Sequence, residues 1–440
     1  MNRVLGIELR RSAAVGTMLT LAVIGTLLIY FLEQIYFADG WMQLAMTMRL
    51  YLALLFPLAL AAGAWQARRE QRAMVAELFS TLPRPRAQRV LPVVLAMTLA
   101  VVAGYLTVGL AGAAWIAGTA RYLPAAVFAV VGVGLLALVA AVWLGLAAGR
   151  LLPSPVTAPL LAVVGFASLL LIPGATRPHD WLGMMLSPIW AMNMPGPYET
   201  MNGLVSAAQG LWLAGLAVTG MLLLISGGWR LRVAAVLPVA LGLALGAAVM
   251  PRSVDVLSAV DTRAKELVCS EDEPRVCLSR VHAGLLDEVT GPAREALTVL
   301  AAVPGAPTRV HEDTSTYSPD VFPPRQADVV LLDVEVGQDA HLENGADVVA
   351  NVLIKALSNP WSCGEYSGRS DAMAAAFWLL GREPALNGEL NQEAVDEAKV
   401  LWQGLAKLPA DEAAGRVAAL RKAATNCAVT DGALLGGARP

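Results

Sequence analysis

Seven stretches of the chain contain no Asp, Glu, Lys or Arg and are dominated by Leu, Ala, Val and Gly: Ser12 to Leu32, Leu50 to Ala67, Val90 to Ala120, Tyr122 to Gly149, Leu151 to Thr176, Thr200 to Trp229 and Val233 to Met250. A bilayer core of about 30 Å takes about 20 residues of helix, because every backbone N–H and C=O must be paired within the segment. The pattern therefore predicts seven transmembrane helices. Three prolines in "LLPSPVTAP" delay the start of the fifth, and tilt absorbs the surplus length of the longest runs. The first run follows Arg3, Arg10 and Arg11 as a signal peptide would, but its 21 apolar residues exceed the usual stretch of about 7 to 15, so it reads as an anchor.

Past Arg252 the pattern changes. "VHAGLLDEVTGPAREALTVLAAV" has helical spacing with an expected break at Gly291 and Pro292, and "DVVLLDVEV", 328 to 336, reads as a buried strand ending in alternation. Asn344 is placed to cap a helix with Val349, Val352, Leu353, Ala356 and Leu357 on one face; Ser370 is placed to cap another carrying Met373, Phe377 and Leu380. Two more helices follow, around Trp402 and Leu420. The expected fold is a polytopic α-helical membrane protein of about seven transmembrane helices, followed by an α+β, helix-rich extracytoplasmic domain. Its divisions are a six-helix core over 1–230, a seventh helix over 231–251, an outer domain over 252–435 and a disordered tail over 436–440.

Charge sharpens that division. The whole chain is 56% hydrophobic and 15% charged, where soluble domains carry roughly 25%. Residues 1–250 hold 15 Arg and 7 acids, net +8, whereas residues 251–440 hold 17 Lys and Arg against 28 acids, net −11. With the N-terminus inside, twelve arginines fall in cytoplasmic segments and only Arg49, Arg121 and Arg177 outside, a strong positive-inside bias. An odd number of crossings then puts residues 252–440 outside, where an acidic surface repels anionic polymers such as nucleic acid. All four cysteines, Cys269, Cys277, Cys363 and Cys427, lie on that side, which favours disulfides over thiols. Three pairings are open. The preferred one joins Cys269 to Cys277 across a tight charged loop and Cys363 to Cys427, tying "NPWSCGE" to the last helix. A zinc site is the competing reading, but neither C-x-x-C spacing nor a neighbouring histidine supports it. Between the fifth and sixth spans, "HDWLGMMLSPIWAMNMPGPYETMNG" is apolar but broken by prolines. It reads as an interfacial segment anchored by Trp181, Trp190 and Tyr198, or as an external gate kinked at Pro188.

One cytoplasmic insert is unlike the rest. Residues 67–89, "ARREQRAMVAELFSTLPRPRAQR", offer a short amphipathic helix over Gln66 to Phe79 that stops at Pro83 and Pro85. By composition alone it is an arginine-rich loop that sets topology and touches lipid phosphates. The pattern W-x-x-R-R-E-x-R followed by E-L-x-x-T-x-P-R-P-R-x-x-R, together with six core spans and the broken loop after the fifth, resembles the permease of bacterial type-2 (exporter-type) ABC transporters. The likeness covers roughly residues 1–230. It implies that Glu77, Leu78, Thr81, Pro83, Arg84 and Arg86 form a coupling surface for a separate ATP-binding subunit. It further implies a bacterial plasma-membrane location, pairing with a second permease as homodimer or heterodimer, and ATP and Mg bound by the partner subunit, with no cofactor on this chain. The seventh span and outer domain go beyond the usual six-helix permease.

The chain carries no recognisable catalytic motif of its own. A Walker A loop needs Gly-Lys-Ser/Thr, but Ala264, Ile354, Ala398, Ala406 and Arg421 precede the five lysines. "HEDTS" at His311 lacks the second histidine of a zinc peptidase, and "GEYSGRSD" at 364–371 has the wrong spacing for a nucleophile elbow. His179, His282 and His341 stand singly and read as surface histidines. The chain is thus expected not to be an enzyme. Besides an exporter subunit, a membrane receptor with an external ligand-binding domain and a membrane-anchored hydrolase fit the layout.

Overall fold

The computed structural model describes residues 2–32, 37–69, 86–189, 195–253, 257–317, 320–359, 363, 368–386, 392–428 and 430–435. Most of the expected coupling segment (70–85), Trp190 and the tail 436–440 lie outside the described residues. The chain divides into two compact units, residues 1–117 with 123–260, and residues 118–122 with 261–440.

The first unit is a helical bundle. In chain order it holds α1 (Asn2–Arg11), α2 (Ala14–Leu32), α3 (Trp41–Leu50), α4 (Leu52–Ala67), α5 (Arg86–Ile116), α6 (Ala126–Leu151), α7 (Thr157–Ala175), α8 (Asp180–Leu186), α9 (Gly203–Ile225), α10 (Trp229–Ala234) and α11 (Val236–Val249). Six helices are long and apolar enough to cross a bilayer, and α3 with α4, bent by 50°, qualifies as a seventh. This is the composition of a polytopic membrane protein. The second span differs from the expected run in starting earlier, at Trp41, and breaking at Tyr51. Pro57 removes the donor for the carbonyl of Ala53 and weakens the first turn of α4, which favours the break there.

Small residues set the packing, because in lipid there is no hydrophobic force to drive helices together and close backbone approach must do so instead. α4 packs on α6 and α7, and α9 on α6 and α11. At the first of these crossings a Cβ added to Gly145 would come within 2.1 Å of the Leu60 carbonyl oxygen, and one at Gly63 within 2.4 Å of the Val142 carbonyl. Only glycine fits. The outward faces are apolar, as Leu160, Val163 and Leu171 of α7 show by their exposure.

Two short strands, β1 (Glu199–Met201) and β2 (Ser258–Val260), pair antiparallel within this unit.

The second unit is built on a four-stranded sheet of β3 (Leu267–Cys269), β4 (Val276–Ser279), β5 (Arg309–Glu312) and β8 (Val329–Leu332), in that order. β3 and β4 are antiparallel; β4, β5 and β8 are parallel. A small hairpin, β6 (Thr316–Tyr317) with β7 (Asp320–Val321), stands apart. Helices α12 (Leu286–Leu300), α13 (Val348–Leu357), α14 (Arg369–Leu379), α15 (Gln392–Ala406) and α16 (Ala410–Thr425) complete it. Val276, Leu278, Val310 and Val330 from the sheet are buried, as are Val289 and Leu300 from α12 and Val352 and Leu353 from α13. Both expected cysteine pairs are bonded, Cys269 to Cys277 directly across β3–β4 and Cys363 to Cys427 across 64 residues of sequence.

Three local expectations are corrected. α12 is not broken at Pro292, since burial of Val289, Ala293, Ala296, Leu297 and Leu300 along one face outweighs one missing backbone bond. Asn344 does not cap α13 with its side chain; it sits at φ 51° ahead of a short 3₁₀ turn over Gly345–Asp347. Ser370 lies inside α14, whose cap position is taken by Gly368 at φ 75°, and its hydroxyl is spent on Glu397 at 2.7 Å.

Candidate functional site

The edges of the basic insert are fixed. At the end of α4 the buried Gln66 accepts a hydrogen bond from the Ala13 amide at 2.9 Å, and Arg69 pairs with Glu8 of α1 at 2.8 Å. Arg86 opens α5 on the far side. Glu77, Leu78, Thr81, Pro83 and Arg84 fall outside the described residues, so the structure neither assembles nor separates the expected coupling surface.

The described residues of the loop after the fifth span, 177–189 and 195–202, lead to a site that sequence reasoning missed. α3 is buried on every side from Met42 to Arg49, although Gln43, Thr47 and Arg49 are polar. Arg49 is 2% exposed. Its Nε and Nη2 both donate to the Pro188 carbonyl, at 3.1 and 2.9 Å, and Nη2 also donates to Gln209 Oε1 of α9 at 2.8 Å. Gln209 in turn donates to the Met184 carbonyl at 2.7 Å. Six residues earlier on α3, Gln43 donates to the Gly196 carbonyl at 3.0 Å. The two ends of the 188–196 stretch are thus held by one helix, Pro188 through Arg49 and Gly196 through Gln43.

Of the residues assigned to this loop from sequence, Pro188 is buried and its carbonyl is the principal acceptor for Arg49. Tyr198 is buried, at 8% exposure. Trp181 is half-buried on α8, with the Arg252 guanidinium 5.2 Å from its ring centre. Ser187 donates to the Leu169 carbonyl, and β1 pairs with β2, so the described ends of the loop are packed into the unit. Arg49, expected as an external topology charge, is instead an interior side chain. The break at Tyr51 turns α3 inward, and no run of letters announces it.

The Arg49 cluster is electrostatically unusual. No carboxylate among the described residues pairs with the guanidinium; the ionisable group it interacts with is Tyr105 of α5, itself fully buried. Arg49 Nη1 and the Tyr105 hydroxyl are both buried without a hydrogen-bond partner. A buried cation held by neutral carbonyls carries its full charge into a low-dielectric interior, which is costly and in membrane proteins marks functional positions. Met42, Met46, Met184, Met185, Met201 and Met250 belong to one buried apolar cluster of the same unit.

In the second unit the chemistry of interest is a buried pair. His282, 2% exposed, shares a hydrogen bond through Nδ1 with Glu312 Oε1, and the other carboxylate oxygen of Glu312 accepts from the Ser279 amide at 2.6 Å. The parallel pairing of β4 with β5 brings these residues together across 30 positions. His282 is therefore not the surface histidine expected, whereas His341 is: it is exposed and bonded to Glu288 at 2.7 Å, which raises its pKa above the ordinary value. Asp371 accepts from the Gly432 and Leu434 amides at 3.0 Å each, and burial pushes its carboxyl up. Among the described residues, no group of three or more His, Cys, Asp or Glu is placed to hold a metal ion.

No protein-family model, curated protein or solved structure matches this chain. Its reading rests on its own residues.

Proposed function

We propose that this chain is the membrane-spanning permease subunit of an ATP-driven ABC exporter, with a separate ATP-binding subunit docking on residues 67–89. The observation that carries this reading is the pattern from Trp65 to Arg89, basic then helical then proline-kinked, set between the second and third apolar spans. No glycine precedes any of the five lysines, so the nucleotide site belongs to another polypeptide. Glu77, Leu78, Thr81, Pro83, Arg84 and Arg86 make the docking surface; ATP and Mg sit on the partner; two permeases share the conduit. The arginine distribution puts the N-terminus in the cytoplasm of a bacterial cell and residues 252–440 outside. The Arg49 cluster supports a working interior, because an uncompensated buried cation destabilises a merely structural bundle.

Co-purification tests the docking. The wild-type chain is expected to bring down a protein with Walker motifs encoded beside it, and Glu77→Ala and Arg84→Ala to weaken that association about tenfold, the scale of one lost charge-assisted contact. Normal retention of the ATPase by both variants would falsify the assignment of the docking surface.

A further inference from the structure

Between α2, α4 and α7 the first unit carries a groove of about 360 Å³, within the range of small-ligand pockets, about 300 to 1,000 Å³. Its walls are small or apolar: Gly16, Thr17 and Thr20 from α2, Ala61 and Trp65 from α4, and Ala158 from α7. The Thr17 hydroxyl donates to the Ala13 carbonyl one turn earlier at 2.9 Å, so it is already spent within its own segment. Gly16, Thr20 and Trp65 are exposed, so the groove opens sideways through the outer face of the bundle, where lipid tails run.

One end of the groove is polar. Ala13 just ahead of α2, Trp65 in the last turn of α4 and Ala158 in the first turn of α7 line it there, so three helix ends meet. Arg68 follows Trp65 by three positions on a backbone that is still helical, φ −84° and ψ 0°, and continues the same face with its side chain half-buried. Arg10 is exposed and three residues from Ala13, a reach of at most about 11 Å along the chain. An exposed tryptophan beside arginines is the composition of a membrane–water boundary. The groove thus runs from a cationic end at headgroup depth into the layer of the tails.

From this we infer that the groove holds one acidic phospholipid of the surrounding bilayer, its phosphate met by Arg10 and Arg68 and an acyl chain lying along Gly16, Thr20 and Ala61. An apolar helix of a second copy would pack on the small residues but offer nothing to the two arginines, whereas an anionic lipid complements both ends. The assignment does not rest on the exporter reading.

The test uses the full chain, purified in dodecyl maltoside without an ATPase, and phosphatidylglycerol bearing a diazirine on its acyl chain, with cross-links located by peptide mass spectrometry. Labelling within residues 13–21 and 58–65 is expected to saturate. Unlabelled phosphatidylglycerol should compete at least about tenfold better than phosphatidylcholine of the same chains, since one arginine near an anionic headgroup is worth about fivefold. Arg10→Gln and Arg68→Gln should each weaken competition by phosphatidylglycerol about fivefold and leave phosphatidylcholine unchanged. A Cβ added to Gly16 meets nothing within 4 Å, so Gly16→Phe fills the groove without a clash at its base and should abolish labelling of both segments. Should that variant fail to fold, Thr20→Phe on the exposed rim is expected to do the same. Equal competition by phosphatidylcholine, unchanged affinity in both arginine variants, or labelling undiminished by the groove-filling residues overturns the site. So does labelling spread evenly over the outward face of α7 from Leu160 to Leu171. Disulfide-linked dimers of Gly16→Cys in oxidised membranes would give the groove to a second copy and overturn it equally.

Discussion

Both units bury a side chain that can carry positive charge, and they treat it in opposite ways. In the second, His282 meets Glu312 through Nδ1, and the remaining carboxylate oxygen takes the Ser279 amide, so the imidazole has an acid partner. In the first, Arg49 meets two neutral oxygens, Pro188 O and Gln209 Oε1. A buried pair of base and acid fixes one arrangement, since breaking it leaves a charge or donor stranded. A buried cation held by neutral oxygens keeps its desolvation cost uncompensated. The contrast separates the two clusters better than burial does, since Arg49 and His282 are equally buried at 2% exposure.

The comparison breaks most readily at Glu312. Glu312→Leu strands the Ser279 amide and His282 Nδ1 together, and should cost about 3 to 5 kcal/mol. Denaturant unfolding of the full chain in detergent, read by hydrogen exchange over β4 and β5, measures this. Serine at both Cys269 and Cys277 should cost about 2.5 kcal/mol in the same assay, since the bond closes a loop of only 8 residues. Gln209→Leu, which removes one acceptor from Arg49 and one donor from Met184, should cost about 1 to 3 kcal/mol. Arg49→Met removes the uncompensated charge itself, so its cost should stay below about 2 kcal/mol. A loss at Arg49 as large as at Glu312 would erase the distinction between the two clusters. The smallest effect belongs to His341. Its folded pKa is raised by Glu288, so the pair's stabilisation is complete below about pH 6.5, the ordinary histidine value, and is lost as pH rises through the folded value. His341→Gln should flatten the stability profile in that window and leave the rest of the curve in place.

The spans were legible because a long uncharged run is a sufficient signal for a helix that hides its own backbone from lipid. Of three open cysteine pairings the preferred one, with its tight loop from Cys269 to Cys277, is the one formed. α3 was not legible: "WMQLAMTMRL" mixes polar and apolar positions without a face, because every face is buried, and such a helix looks like a loop flank. For the same reason Arg49 reads in the sequence as a loop charge, whereas in the fold it is buried at the end of α3. In the sequence His282 stands as an isolated histidine and Glu312 lies inside "HEDTS"; only the parallel pairing of β4 and β5 joins them. The proline at 292 misled because a single helix breaker is outvoted by five buried apolar residues on one face.

The exporter reading meets its most direct test at Phe79, in the middle of the basic insert. With a photo-crosslinking phenylalanine analogue at that position in intact cells, the cross-linked partner should be an ATPase with Walker motifs, and the yield should change when ATP is depleted. Cross-links to lipid alone, or labelling of position 79 by an impermeant reagent from outside the cell, would contradict it.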